Sequence, residues 1–201
     1  MNLVECGATA TAEILSRYLP VWGFPITSEV ATALLTGIVV DTIGFRTGNM
    51  TSQALRIAAD LMDDGANLPE IYRCTLLQRS FEAARYWGTG LTHLQRQDGL
   101  VWATLTKEDR RAVGYPGRDD ADLINLVSSI NNAMVALVFV EQNNGNVKVS
   151  WRYQPGLDVY QVALKFGGGG HEAAAGAELK GTLKEVEEIV IQATKAIVRD
   201  I

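Results

Sequence analysis

The sequence contains very little cysteine and histidine. Its 201 residues include two cysteines, Cys6 and Cys74, and two histidines, His93 and His171. Two distant cysteines form neither a disulfide framework nor a paired-cysteine metal site, so we expect buried or partly buried thiols in a reducing cytoplasm. His93 has no candidate partner near it in the sequence.

Long apolar runs and an excess of positive charge are also missing. The longest apolar stretch, residues 133–140, has the length of a buried strand, and no basic-then-apolar leader opens the chain. We therefore expect no membrane association. The net charge of −5 argues against broad electrostatic binding of long duplexes. A small anionic ligand held by a few placed cations remains compatible with this charge.

The first part of the chain has helical patterns separated by helix-breaking residues. Pro20 and Pro25 are expected to end the first helix, and threonine or serine caps precede the next two. The first predicted helix covers residues 8–18, and the second covers residues 30–40 after a cap at Thr27 or Ser28. The third begins at a cap at Thr51 or Ser52 and runs towards Asp64. The fourth covers residues 69–87 with little interruption.

The second part alternates between strand and helix patterns. Asn143, Asn144, Gly145 and Asn146 form a turn sequence between two apolar runs and predict an antiparallel hairpin. The predicted strands are 100–105, 133–140 and 147–153, and the predicted helices are 107–113, 119–130, 158–166 and 183–198. This order indicates the α/β class, with a helical piece (residues 1–85) before a small α+β domain (residues 86–201) whose sheet is mixed or antiparallel.

A glycine run carries the most specific signal. Residues 166–176 read Phe-Gly-Gly-Gly-Gly-His-Glu-Ala-Ala-Ala-Gly. Successive amides of a glycine run can converge on an anion, and His171 can donate to a phosphate oxygen. A bare glycine run is more often a flexible turn. The complete string, however, resembles the Gly-Gly-Gly-His…Ala-Ala-Gly signature of the DHHA1 domain, the substrate-binding domain of DHH phosphoesterases.

The strand before this run extends the resemblance. Residues 149–152, Val-Ser-Trp-Arg, are similar to the Ser-x-Arg strand motif of the same family. By itself Arg152 would be an ordinary exposed strand arginine. The resemblance implies that Arg152, Gly168, Gly169, Gly170 and His171 bind the phosphate or sugar of a nucleotide, a role that suits a planar guanidinium.

A single aspartate carries the resemblance into the first part of the chain. Residues 36–51 contain an apolar helix that ends in Asp41-Thr42, followed by Phe45 and a polar turn. They resemble the family's fourth catalytic motif, most closely in the branch that combines nano-oligoribonuclease and 3'-phosphoadenosine-5'-phosphate (pAp) phosphatase activity. The resemblance implies that Asp41 is a catalytic ligand of Mn²⁺, which prefers hard oxygen donors. Ile43 departs from the family's usual glycine.

The other metal ligands of the family have no counterpart in this sequence. They include the Asp-His-His motif, whereas the paired aspartates here, Asp63-Asp64 and Asp119-Asp120, are read as capping or solvated charges. Residues 1–13 resemble the stretch just after Asp-His-His, so we expect the chain to begin within a catalytic domain. The family's partners are short RNA or DNA oligonucleotides and nucleotide phosphates, which this chain is expected to bind without hydrolysing.

Two consequences and two alternatives accompany this interpretation. Without the first half of a DHH domain, apolar faces are expected to be uncovered and then buried by self-association or rearrangement; they include Ile38, Val39, Leu55 and Ile57. The first alternative is a non-catalytic nucleotide- or nucleic-acid-binding DHHA1 module, which would have no need of the Asp41 motif. The second, a structural oligomerisation piece, would leave the glycine run unexplained.

Overall fold

The chain folds into two compact units, residues 1–78 and 79–201. The structure is a computed structural model and describes residues 4–153, 158–171 and 174–199. For His171 and Arg199 it describes the backbone alone. The division lies slightly before the end of the helical piece expected from the sequence. Helices and a six-stranded mixed sheet confirm the α/β class.

Helices are the regular elements of the first unit within its described residues, and loops connect them. It contains α1 (Thr11–Val21), α2 (Ser28–Asp41), α3 (Ser52–Asp63), α4 (Leu68–Tyr72) and a π-helical turn (Arg73–Leu77). The predicted caps are confirmed, because Thr27 Oγ1 accepts a hydrogen bond from the Val30 amide at 3.4 Å and Thr51 Oγ1 accepts one from the Ala54 amide at 3.1 Å.

Most of the apolar residues expected to be uncovered lie inside this unit. Ile38 and Val39 are fully buried and Ile57 is 8% exposed, in a cluster formed by α1, α2, α3 and α4. Only Leu55 of the four is exposed, at 51%. The helices therefore pack the faces with Ile38, Val39 and Ile57 against one another, and the expectation that these faces are uncovered is wrong.

Two helix boundaries differ from the predicted ones. Pro20 lies inside the last turn of α1, which continues to Val21 and is followed by Gly23 in a left-handed conformation. The long helix predicted for residues 69–87 is interrupted at residues 78–80. Ser80 caps the next helix, because its Oγ accepts a hydrogen bond from the Ala83 amide at 3.1 Å. The sequence prediction missed this serine cap.

The second unit is an α+β domain built on one sheet. Its elements are α5 (Phe81–Thr92), β1 (Gln95–Gln97), β2 (Leu100–Leu105), α6 (Lys107–Val113), α7 (Leu123–Val127), β3 (Val135–Glu141), β4 (Asn146–Tyr153), α8 (Val159–Lys165), β5 (Gly169–His171), β6 (Ala174–Lys180) and α9 (Leu183–Arg199). The strand order is β1-β2-β3-β4-β6-β5, and only the β2–β3 pair is parallel. The predicted β3–β4 hairpin is confirmed.

Helices cover the two faces of this sheet unequally. The first face packs along its length against α8 and α9, with Trp151 and Phe139 among its fully buried side chains. On the second face α5 and α7 cover β2 and β3, where Val101, Ala103 and Val138 are buried. The second-face positions of β4 and β6 are half-buried or exposed, which leaves room for a ligand on that side.

One predicted helix is much shorter than expected, and one strand was not predicted. The helix predicted for residues 119–130 covers only α7, because Asp119 and Asp120 accept hydrogen bonds from the Ala121 and Ile124 amides and hold a loop instead. The alanine- and glycine-rich segment after His171 forms β6, although these residues have little intrinsic strand preference.

Candidate functional site

The substrate-binding residues expected from the sequence meet on three neighbouring strands of the second unit. Arg152 on β4 lies in register with Ala174 on β6, and Ala174 lies in register with His171 on β5. Strands are spaced about 4.8 Å apart, so the backbones of Arg152 and His171 lie roughly 10 Å apart in one row. A small residue occupies the middle of this row.

A second row of small residues runs beside the first. Ser150, Gly176 and Gly169 are aligned across the same three strands. In a strand, residues two apart share a face, so Ser150 and Arg152 both lie on the second face of the sheet. The two rows form a floor of mostly small residues with Arg152 at one side.

Arg152 is only partly satisfied by the protein around it. Its Nη1 donates to the Trp151 carbonyl at 3.0 Å, whereas its buried Nε has no acceptor among the described residues. Burial lowers the pKa of Arg152, and the carboxylates of Asp120 and Asp122 partly offset this effect. An arginine with an unused buried N–H is suited to a ligand that brings an oxygen acceptor, such as a phosphate.

Half of the glycine run has a structural role at the end of a helix. Gly167 adopts a left-handed conformation (φ 71°) and donates to the Leu164 carbonyl, while Gly168 donates to the Ala163 carbonyl at 2.9 Å. These two bonds form a Schellman motif that ends α8. The Gly168 amide is therefore engaged within the chain, and a ligand must find its donors among the residues that follow.

Two of the glycines also allow β5 to lie close to β6. A Cβ at Gly168 would lie 2.2 Å from the Gly176 carbonyl oxygen, and one at Gly170 would lie 2.3 Å from the Ala174 carbonyl oxygen. Gly169 differs, because nothing lies within 4 Å of the position that its Cβ would occupy. The open space at Gly169 is where a ligand can approach the backbone of the floor.

Asp41, the expected metal ligand, lies in the first unit, at the last residue of α2. Its side chain is exposed and makes no hydrogen bond with a described residue. The following Thr42 is fully buried, and its Oγ1 donates to the Ile38 carbonyl and accepts from the Phe45 amide. Thr42 thus anchors the turn that carries the aspartate.

The turn after Asp41 is strained. Ile43, Gly44 and Phe45 have φ values of 48°, 68° and 63°. A β-branched residue in this region is an outlier, whereas a glycine would adopt the same φ without steric cost. A Cβ at Gly44 would lie 2.8 Å from the Tyr72 hydroxyl, so this glycine is required by packing as well.

The residues present do not fit a manganese site. No group of three or more cysteine, histidine or acidic side chains in the described ranges is arranged to hold a metal ion. Asp41 is a single exposed carboxylate, and one oxygen ligand does not fix the coordination geometry of a weakly bound divalent ion. The expected role of Asp41 therefore needs ligands that the described residues do not supply.

Two smaller expectations are wrong. His93 does have partners, since its Nδ1 lies 3.2 Å from the Thr104 carbonyl and 3.6 Å from Asp109 Oδ2. Both cysteines are exposed, not buried. Cys74 lies on an outer helical surface, where its thiol donates to Glu70 and accepts from Arg73.

A polar groove in the second unit was not predicted from the sequence. A groove of about 650 Å³ lies at the hairpin end of β4 and is lined by polar residues, among them Arg118, Asp119, Lys148 and Glu178. Its signal was present in the sequence, because Lys148 and Arg152 are four residues apart and so share one face of the strand. The acidic pair at Asp119 had been read only as a capping charge.

Known proteins resemble the chain along most of its length. Residues 112–200 match the DHHA1 domain model. The chain is 34% identical over 197 residues to the bifunctional oligoribonuclease and PAP phosphatase NrnA of Thermus thermophilus, a match that covers 97% of this chain and 59% of the relative. The protein of the same name from Mycoplasma genitalium is 28% identical, with 98% of this chain and 61% of the relative covered.

A solved structure gives the same result for the fold. An exopolyphosphatase-related protein from Bacteroides fragilis superposes with a TM-score of 0.88 at 25% identity, over 98% of this chain and 60% of that protein. The chain thus spans about three fifths of the length of the relatives that it matches. Residues 112–200 thus match a DHHA1 domain, and the chain is similar along nearly all of its length to these oligoribonuclease and PAP phosphatase relatives, in agreement with the resemblance to DHH/DHHA1 phosphoesterases found in the sequence.

Proposed function

We propose that the chain binds nucleotide phosphates and short RNA or DNA oligonucleotides on the second face of the sheet. The observation that carries this proposal is the row of Arg152, Ala174 and His171 beside the open backbone of Gly169. Arg152 supplies a charge-assisted bond to phosphate, and the small residues of the floor leave space for a sugar or base. His171 is assigned to the same ligand through its place in the row.

The reaction that this binding serves is hydrolysis of a phosphoester. The named relatives are oligoribonucleases and PAP phosphatases, and we extend the substrate class of their names to this chain. The family resemblance implies Mn²⁺ as the cofactor of the complete reaction, with Asp41 among its ligands, but the described residues do not by themselves form a site for this ion. The 201 residues by themselves are proposed to bind substrate without hydrolysing it, because the remaining ligands are not among the described residues.

We assign the two units accordingly. Residues up to about 85 form the later part of a DHH domain with its connecting helix, and the residues from 86 onward form the DHHA1 substrate-binding domain. The Asp41-Thr42 turn supports the first assignment, since a DHHA1 module appended to another protein has no use for it. Two exposed thiols without a disulfide favour a reducing compartment, the cytoplasm.

Titration of pAp against single-residue variants tests the binding site. Arg152→Ala should weaken binding about 10- to 100-fold, the effect expected for loss of a hydrogen bond to a charged group. His171→Ala should weaken it by a smaller factor. Lys165→Ala is the matched control, because this exposed lysine lies at the end of α8 and that helix packs on the opposite face of the sheet. Equal affinities for wild type, Arg152→Ala and Lys165→Ala would show that the ligand binds elsewhere.

A further inference from the structure

The groove at the hairpin end of β4 has the size of a site for a small molecule. Its volume of about 650 Å³ lies within the usual range for ligand pockets, roughly 300–1,000 Å³. It is formed by the segment at Arg118 and Asp119, by the hairpin loop, by Lys148 and by Glu178. Lys148 and Glu178 face each other in register on β4 and β6, on the same face as Arg152.

Both carboxylates of the groove are fixed through a single oxygen. Oδ1 of Asp119 accepts hydrogen bonds from the Tyr115 hydroxyl at 2.6 Å and from the Ala121 amide at 3.0 Å. Oε1 of Glu178 accepts from the side-chain amides of Asn146 at 2.7 Å and Asn144 at 3.1 Å. The second oxygen of each carboxylate accepts no bond from a described residue. Two oriented acceptors are thus held in place and left open.

The cations of the groove make no close polar contact within the described part of the chain, although the charge of Lys148 acts on both carboxylates and favours their ionised form. The side chains of Arg118 and Lys148 form no ion pair or hydrogen bond within the described part of the chain. Lys148 forms none even though Glu178 lies directly opposite it. The groove therefore offers two cationic donors and two carboxylate acceptors at once.

This combination of two cationic and two anionic side chains matches the groups of a single ribonucleotide. A ribonucleotide has a phosphate anion, which a lysine or arginine binds, and ribose hydroxyls, which donate to carboxylates. A simple anion would be repelled by Asp119 and Glu178, and a simple cation by Arg118 and Lys148. A ligand that has an anion and hydroxyl donors at separate positions satisfies all four groups.

We propose that this groove is a subsite for a further ribonucleotide of an oligoribonucleotide whose first nucleotide binds at Arg152. The proposal rests on the function proposed above. Arg152 and Lys148 are four residues apart on one strand, a distance of about 13 Å. Ser150 lies between them on the same face. The phosphodiester backbone would run along β4 from the glycine loop towards the hairpin, and the 2'-hydroxyl would distinguish RNA from DNA in the groove.

The test compares three probes: pAp, a triribonucleotide and the trideoxyribonucleotide of the same sequence. Wild type should bind the triribonucleotide at least about threefold more tightly than either other probe. Lys148→Gln should weaken trinucleotide binding by roughly three- to tenfold and reduce the slope of log affinity against log salt by about 0.7, the value for one phosphate contact in a single strand. Its affinity for pAp should not change.

A second variant separates the sugar contact from the charge contact. Glu178→Gln keeps an acceptor for the two asparagines but loses the charge, so it should abolish the preference for RNA over DNA while the salt slope stays at least as steep. The matched controls are Lys184→Gln and Glu188→Gln on α9, which packs on the opposite face of the sheet. Neither control should change any of the three affinities.

The outcomes distinguish this inference from the function on which it rests. If wild type binds all three probes equally, or if Lys148→Gln and Glu178→Gln match their α9 controls, the groove is not a nucleotide subsite, although pAp binding through Arg152 still stands. If Lys148→Gln lowers pAp affinity as much as trinucleotide affinity, Lys148 belongs to the first site and the second subsite is wrong. If Arg152→Ala binds pAp as tightly as wild type does, the proposed function itself is wrong.

Discussion

At the scale of single residues, Ile43 shows how the turn after Asp41 differs from a relaxed one. Its φ of 48° costs an L-residue roughly 1–2 kcal/mol, and β-branched residues are the least tolerant. Three successive residues with positive φ are held by the Thr42 hydroxyl and by the bond from the Gly44 amide to the Val39 carbonyl at 2.7 Å. Such strain is typical of turns whose conformation serves a site.

Substitutions at Ile43 should reveal this strain. Ile43→Ala and Ile43→Gly remove the same half-buried side chain, but only glycine adopts a positive φ without cost. We expect Ile43→Gly to be more stable than Ile43→Ala by about 1 kcal/mol, measured by urea unfolding. In the middle of α2, alanine should instead be more stable than glycine, and Ala33→Gly should destabilise the chain by about 1 kcal/mol. A less stable Ile43→Gly than Ile43→Ala would contradict the conformation described here.

The residues of the candidate site could be predicted singly, but their alignment could not. Arg152 and His171 were found from two separate motifs in the sequence. Their shared row depends on the register of β4, β5 and β6, which backbone hydrogen bonds through Ala174 determine. The groove was missed for the same reason, since Asp119 and Glu178 meet only when the strand pairing is known.

At the scale of elements, the glycine run shows two kinds of glycine side by side. Gly170 has a φ of 142° and no room for a Cβ, while Gly169 has open space around it. We expect Gly170→Ala to destabilise the second unit by about 2 kcal/mol or more, because the new methyl group would meet the backbone of β6. Thermal unfolding followed by tryptophan fluorescence measures the loss.

Gly169→Ala is the matched control for this element and has a different expected effect. It should change stability by less than about 0.5 kcal/mol, as is usual for open positions. If a nucleotide approaches the backbone here, the same variant should weaken pAp binding severalfold. If Gly170→Ala unfolds at the wild-type temperature, or if Gly169→Ala unfolds at a clearly lower one, β5 does not pair with β6 in this register.

Element prediction succeeded where one strong local signal was present and failed where side chains competed with the backbone. Threonine caps located α2 and α3, and the Asn-Gly turn located the β3–β4 hairpin. The loop before α7 was missed because two aspartate side chains bond to backbone amides there. The strand β6 was missed because its pairing partners, not its alanines and glycines, determine its conformation.

At the scale of the whole molecule, apolar residues remain exposed in the first unit. Trp22 and Phe24, in the loop after α1, are 52% and 60% exposed, and the neighbouring Val21 is 76% exposed. We propose that the chain self-associates through such residues, because monomers seldom expose large contiguous apolar patches. Sedimentation velocity should show the average mass rising with protein concentration.

A double variant provides the control for self-association. Replacing both Trp22 and Phe24 by serine should shift the chain towards the monomer, since neither side chain contributes to the buried core of α2 and α3. The same change at Leu77 and Phe81, which are also exposed, tests whether any apolar surface has the same effect. A wild-type chain that is monomeric at every concentration would contradict the proposal.

The last prediction is that the 201-residue chain binds substrate but does not turn it over. Hydrolysis with a metal requires several ligands that fix the ion while positions stay open for water and substrate. The sequence has two histidines, of which His171 is assigned to the substrate row and His93 bonds to Thr104. Asp41 is therefore a lone candidate, and binding at Arg152 positions a phosphate without an activated nucleophile beside it. The measurement is turnover of pAp and a short RNA with added Mn²⁺, beside an Asp41→Ala control, and we expect both proteins to give the same background rate. Metal-dependent turnover that disappears in Asp41→Ala would mean that the chain, through self-association, assembles a ligand set beyond the one available within a single copy.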